Sequence, residues 1–139
     1  MLFVIVDEIG RRSMAIKPEE WFKQADYDMR TAEIMFENKR YIYAIFMCHL
    51  SIEKALKGLF QNRLKMVPPK VHNLIYFIEK IQLQPPDNLY KCIFSLNRVS
   101  IPTRYPEDLQ KLLKDYKKRN TAELIKGGRK VLKWLRTQL

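Results

Sequence analysis

The stretch Cys48–Phe60, CHLSIEKALKGLF, decides the fold. It continues from Tyr41–Leu50, YIYAIFMCHL, which contains no Asp, Glu, Lys or Arg. Across both, Tyr41, Ile45, Cys48, Ile52, Ala55 and Leu59 recur in alternating steps of four and three, which is the seam of an α-helix. Phe46, Met47 and Leu50 make its first half apolar on the other side as well. We therefore expect a central helix over about Tyr41 to Arg63, buried nearly all round. His49, Glu53 and Lys57, spaced four apart, fall together on one flank of that helix, while Lys54 points elsewhere.

Working outward, Pro18-Glu19-Glu20 is a helix start, with proline in the first turn and acids complementing the dipole. That helix runs to about Asn38, with Trp21, Ala25, Met29, Ala32 and Phe36 on one stripe. The rigid connector Met66-Val67-Pro68-Pro69-Lys70 leads to a third helix over about Asn73 to Gln82. Pro85-Pro86-Asp87 opens a fourth, and Pro102 ends that region. Pro106 starts a short helix, and a last one spans about Thr121 to Thr137. The class is all-α: an antiparallel up-and-down bundle of four to five helices plus a short extra helix.

The last helix is two-faced. Leu124, Ile125, Val131, Leu132 and Leu135 point inward, while Lys126, Arg129, Lys130, Lys133 and Arg136 lie opposite. The basic stripe is either a solvated face or a polyanion-binding surface. Gly127-Gly128 weakens the helix by roughly 1 kcal/mol per glycine relative to alanine. Gly128 falls on the apolar side, where we expect a close helix approach or a kink.

The chain of 139 residues suits one domain, and its 47% hydrophobic and 29% charged residues are those of an ordinary globular protein. No apolar run approaches the roughly 20 residues of a membrane span. The opening MLFVIVDEIG lacks the basic start of a secretory signal, so we expect a cytoplasmic protein. Cys48 and Cys92 both lie in apolar periodic segments and are expected as reduced core thiols. No cluster has metal-ligand spacing, and neither metal nor cofactor is expected. The net charge of +11 favours polyanionic partners, and from Arg104 onward there are 11 Lys and Arg against 4 Asp and Glu.

Residues 1–13 read differently. Gly10-Arg11-Arg12 before Met14 back-translates to a purine-rich sequence like a ribosome-binding site, which points to an N-terminal extension ahead of a domain over 14–139. The other reading is a genuine short strand or arm over LFVIV.

With the helices placed, CHLSIEKALKGLF resembles the second-helix signature of HEPN domains, the higher eukaryote and prokaryote nucleotide-binding fold. The family pattern resembles Cys-Gln-Gln-Ala-Ala-Glu-Lys-Ala-Leu-Lys. Cys48, Glu53, Lys54, Ala55, Leu56 and Lys57 match it, while His49 and Leu50 replace the glutamines. His72-Asn73-Leu74 and Arg104-Tyr105-Pro106 follow in the family's order, and the resemblance covers about Pro18 to Leu135. It implies a helical bundle that forms a homodimer and carries a nucleotide- or RNA-binding cleft. It also implies a partner, a separately encoded minimal nucleotidyltransferase, in a toxin–antitoxin or regulatory pair.

Some such domains are metal-independent RNases with an Arg and a His separated by four to six residues. That linear motif is absent, because Arg40 precedes His49 and Arg63 precedes His72 by eight intervening residues each. An RNase would then need Arg and His to converge in space, with His72, Arg104 and His49 as candidates. A third reading is a helical scaffold that docks an acidic partner. For the binding reading, Lys54, Lys57 and Arg104 are candidate phosphate contacts and Tyr105 a stacking platform. Glu53 is expected to be structural at the cleft, satisfying a buried partner such as Arg104 or an amide of the Tyr105 loop. His49 is expected as a core or interface histidine, and His72 as a cap or packing group.

Overall fold

The computed structural model describes residues 3–6, 12–99 and 106–139. Among these, six helices make up the body: α1 Pro18–Glu37, α2 Tyr41–Leu64, α3 Leu74–Ile81, α4 Asp87–Arg98, α5 Pro106–Asp115 and α6 Lys118–Arg136. A hairpin precedes them, with β1 Phe3–Val6 paired antiparallel to β2 Arg12–Ala15, Phe3 opposite Ala15 and Val6 opposite Arg12. The expected boundary at residue 13 falls inside β2. That second strand carries no period-2 signal, since RSMA is too short and too polar.

The periodic seam of α2 is buried as its spacing requires: Ile45, Cys48, Ile52, Ala55 and Leu59 are all fully enclosed. This helix touches every other helix of the body. Phe46, Met47 and Leu50 are only half-buried, so the first half of α2 keeps one partly open face. α1 packs along α2 after the short turn Asn38-Lys39-Arg40, placing Phe22, Ala25, Met29 and Ala32 in the core. That turn closes with Lys39 in the left-handed region at φ 62°, and Lys65 and Gln82 end α2 and α3 in the same conformation.

α6 packs on α1, α2 and α4 through Ile125, Val131, Leu132 and Leu135. It begins at Lys118, three residues earlier than its apolar pattern indicates. The Asn120 side chain accepts from the Lys117 amide at 2.7 Å, which caps that extra turn. The glycine pair marks a close approach. A Cβ on Gly128 would overlap Cys48 Sγ, and one on Gly127 would lie 2.6 Å from Cys92 Sγ. Both cysteines are free thiols; burial pushes that of Cys92 up to about 11 and that of Cys48 further. Among the described residues no helix is long and apolar enough to cross a membrane.

Candidate functional site

The flank of α2 meets the chain just before α3. Glu53 is only 3% exposed, and both of its oxygens are engaged. Oε1 lies 2.9 Å from His72 Nδ1, and Oε2 accepts from Lys57 Nζ at 3.1 Å. Burial of a carboxylate requires such partners, because an unpaired buried charge is costly. His72 presents the opposite environment, with its side chain 74% exposed. The result is a ring in solvent tethered to a carboxylate in the protein interior.

His72 is held by its neighbours more than by its own packing. Asn73, and not His72, caps α3: its Oδ1 accepts from the amides of Ile75 and Tyr76 at 2.9 and 3.2 Å. Asn97 of α4 completes the brace, accepting from the Leu74 amide at 2.7 Å and donating to Asn73 Oδ1 at 3.1 Å. The α3 N-terminus is thereby pinned to α4, and His72 is fixed over Glu53.

His49 lies one turn before Glu53 and is 6% exposed. Its Nε2 has no hydrogen-bond partner among the described residues. Burial pulls its pKa below the ordinary histidine value; the charge of Glu53 and the backbone of His72 oppose that shift. His49 is thus buried one turn along α2 from Glu53, whose carboxylate bridges to His72.

The other expected contacts divide. Lys57 is held by Glu53. Lys54, on a different side of α2, reaches Asp28 of α1 at 2.8 Å. Asp28 is 5% exposed and had no place in the sequence reading, although it sits within the apolar stripe between Ala25 and Ala32. Arg104 and Tyr105, and with them the expected Glu53–Arg104 pairing, lie outside the described residues. Along α6, Arg136 donates to both oxygens of Asp26 at 2.7 Å and covers the Phe22 ring, while Arg129 lies 3.5 Å from Glu33. Lys126, Lys130 and Lys133 are exposed, with no ion pair among the described residues. One edge of the basic stripe therefore docks on α1, and the rest faces solvent.

Comparison with known proteins agrees with this arrangement of helices. No curated protein matches the chain. The crystal structure of TT1696 from Thermus thermophilus is similar with a TM-score of 0.75 and 24% identity, over 88% of this chain and 98% of that one. That of ST0689, an archaeal HEPN homologue, is similar with a TM-score of 0.69 and 26% identity, over 89% of this chain and 98% of that one. The HEPN domain family matches residues 18–138, nearly the whole helical body, and the chain belongs to that family.

Proposed function

We propose that this protein binds nucleotide or RNA through phosphate, with His72 at the centre of the contact. The observation that carries this reading is the exposed His72 ring, tethered through Nδ1 to the buried Glu53 carboxylate. A carboxylate acceptor holds the proton on Nδ1, which leaves Nε2 as the working nitrogen: an acceptor on the neutral ring, a donor on the charged one. A charged imidazole donating to a phosphate oxygen forms a strong, charge-assisted hydrogen bond. Arg104 and Tyr105, which lie outside the described residues, stay the sequence candidates for a phosphate fork and a stacking face. We infer further, from what the sequence resemblance implies, that it works as a homodimer with a separately encoded minimal nucleotidyltransferase, in a toxin–antitoxin or regulatory pair.

The Glu53–His72 pair also favours a second reading, a metal-independent RNase in which His72 moves the proton and Arg104 holds the phosphate. His49 is too deeply buried to touch RNA directly in either case.

One experiment separates them. The protein is incubated with end-labelled single-stranded RNA and EDTA, then run on native and denaturing gels at two salt concentrations. Intact RNA, shifted in a salt-sensitive way and released by His72→Ala, is the expected result. RNA that is cut, and spared by His72→Ala, moves the assignment to the nuclease. Neither shift nor cutting removes RNA as the ligand; a tight complex with an acidic partner protein would then support a scaffold.

A further inference from the structure

A groove lies between the turn joining α1 to α2 and the turn joining α5 to α6. Its volume is about 260 Å³, and its lining includes Lys39, Arg40, Tyr43, Leu113, Tyr116 and Lys117. No Asp or Glu lines it among the described residues. Neither α2 nor α6 carries an acid in its first turn. Lys39, Arg40 and Lys117 form no ion pair among the described residues. The apolar side is equally unfinished. Tyr43 is 52% and Leu113 49% exposed, and no residue of α5 is fully buried although that helix is strongly amphipathic. Phe46 meets Tyr43 edge-on at 6.0 Å and braces that ring.

We infer that this groove seats one base of a single-stranded RNA, stacked on Tyr43, with the flanking phosphates on Lys39, Arg40 and Lys117. The inference rests on the RNA reading above but uses a different surface from His72. An aromatic face between cations is the recognition unit for a nucleotide, because stacking accepts any base while the cations track the backbone. Size favours a base over the apolar face of a peptide helix. The groove falls below the roughly 300–1,000 Å³ of pockets that enclose larger ligands, so it takes one ring. Charge favours it as well, since three cations without an intervening acid leave the rim uncompensated. The position is also suited to a strand, because α6 carries exposed Lys126, Lys130 and Lys133 away from Lys117 along its length.

The test is fluorescence anisotropy of labelled A10 and U10 RNA on the full chain, across a salt series. Tyr43→Ala is expected to weaken binding roughly 5- to 150-fold, the loss of one base stack. Tyr43→Phe, which keeps the stacking face, is expected to stay within about threefold of wild type. Arg40→Ala and Lys117→Ala are each expected to flatten the salt dependence by about 0.7 in log–log slope. Tyr43 is half-exposed, so matching thermal melts by circular dichroism check that the variants fold. If wild type binds RNA and Tyr43→Ala binds it equally well, the groove assignment is overturned while the His72 site stands. If wild type does not bind RNA at all, the RNA reading fails and the groove assignment with it, while nucleotide binding at His72 is left standing. Tyr43-dependent binding of a poly-glutamate peptide, with RNA binding unaffected by Tyr43→Ala, would also overturn it in favour of an acidic protein.

Discussion

Nδ1 of His72 lies 2.9 Å from Oε1 of Glu53, joining a ring that is mostly in water to a carboxylate that is almost wholly removed from it. The same carboxylate accepts from Lys57, whose side chain is only 12% exposed. The two partners do not weigh equally. Water can replace Glu53 at His72, whereas Lys57 has little solvent to turn to.

Replacing the charge therefore tests which partner matters for stability. Glu53→Gln keeps the shape and one acceptor but removes the counter-charge of Lys57. We expect a loss of about 1–3 kcal/mol in urea unfolding, with the denaturant slope unchanged. Adding Lys57→Met to Glu53→Gln should recover much of that loss, because no unpaired charge then remains. His72→Ala alone should cost less than Glu53→Gln. The reverse order would show that the His72 bond, despite its exposure, dominates the cluster.

A second buried pair predicts a sharper asymmetry. Asp28 is 5% exposed and meets Lys54 at 2.8 Å. Lys54→Met strands the carboxylate and is expected to cost about 3–5 kcal/mol. Asp28→Leu with Lys54→Met removes both charges and is expected to lie close to wild type. A double-mutant cycle by urea unfolding measures the coupling. Additive losses would mean that the two groups are solvated separately and do not form a pair.

The glycine pair of α6 gives a prediction in which two effects oppose each other. Alanine gains about 0.8–1 kcal/mol of helix propensity over glycine. At Gly128 the new Cβ would collide with Cys48 Sγ, and Cys48 is fully buried. Overpacking of that kind costs about 1–3 kcal/mol, so Gly128→Ala should be net destabilising. Cys48→Ala in the same chain removes the clashing sulfur and should restore part of the loss. Gly127→Ala meets Cys92 Sγ at 2.6 Å, but that side chain is only partly buried and has room to turn. Its thermal melt should lie near that of wild type. A Gly128→Ala protein as stable as wild type would show that the α2–α6 contact is loose.

These pairs also show what the sequence could and could not reveal. The helix order was legible because apolar residues repeat at helical spacing and Pro18, Pro86 and Pro106 punctuate the starts. The flank of α2 was legible for the same reason, since His49, Glu53 and Lys57 are fixed on one side by spacing alone. What lies across from them was not. His72 is 19 residues from Glu53, beyond a Pro-Pro connector, and no periodicity carries through an irregular segment. Asp28 could have been suspected, because a carboxylate inside an apolar stripe needs a partner. Asn73 before the apolar run LIYFI is a capping signal that local reading could have used. In the hairpin ahead of α1 the apolar run LFVIV offered the first strand, but the second, RSMA, is short and polar and gave no such signal.

His49 gives the last prediction, and its sign follows from burial. The ring is 6% exposed, and desolvation holds its pKa below the ordinary value near 6.5 in the folded state. The charges around it are Glu53, which opposes that shift, and Lys57 and His72, which reinforce it. As pH falls below about 6.5, the unfolded chain takes up a proton at His49 that the folded chain refuses. Stability should therefore be unaffected by His49 above neutrality and decline as pH falls below about 6.5. For one proton this slope is bounded by about 1.4 kcal/mol per pH unit. Urea unfolding of wild type and His49→Gln over about pH 5–8 isolates it from the other titrating groups. The difference between the two curves should be flat above about pH 7 and slope below it, with wild type losing more. Parallel curves throughout would mean that His49 takes its proton equally easily in both states, and that it is hydrated in the fold.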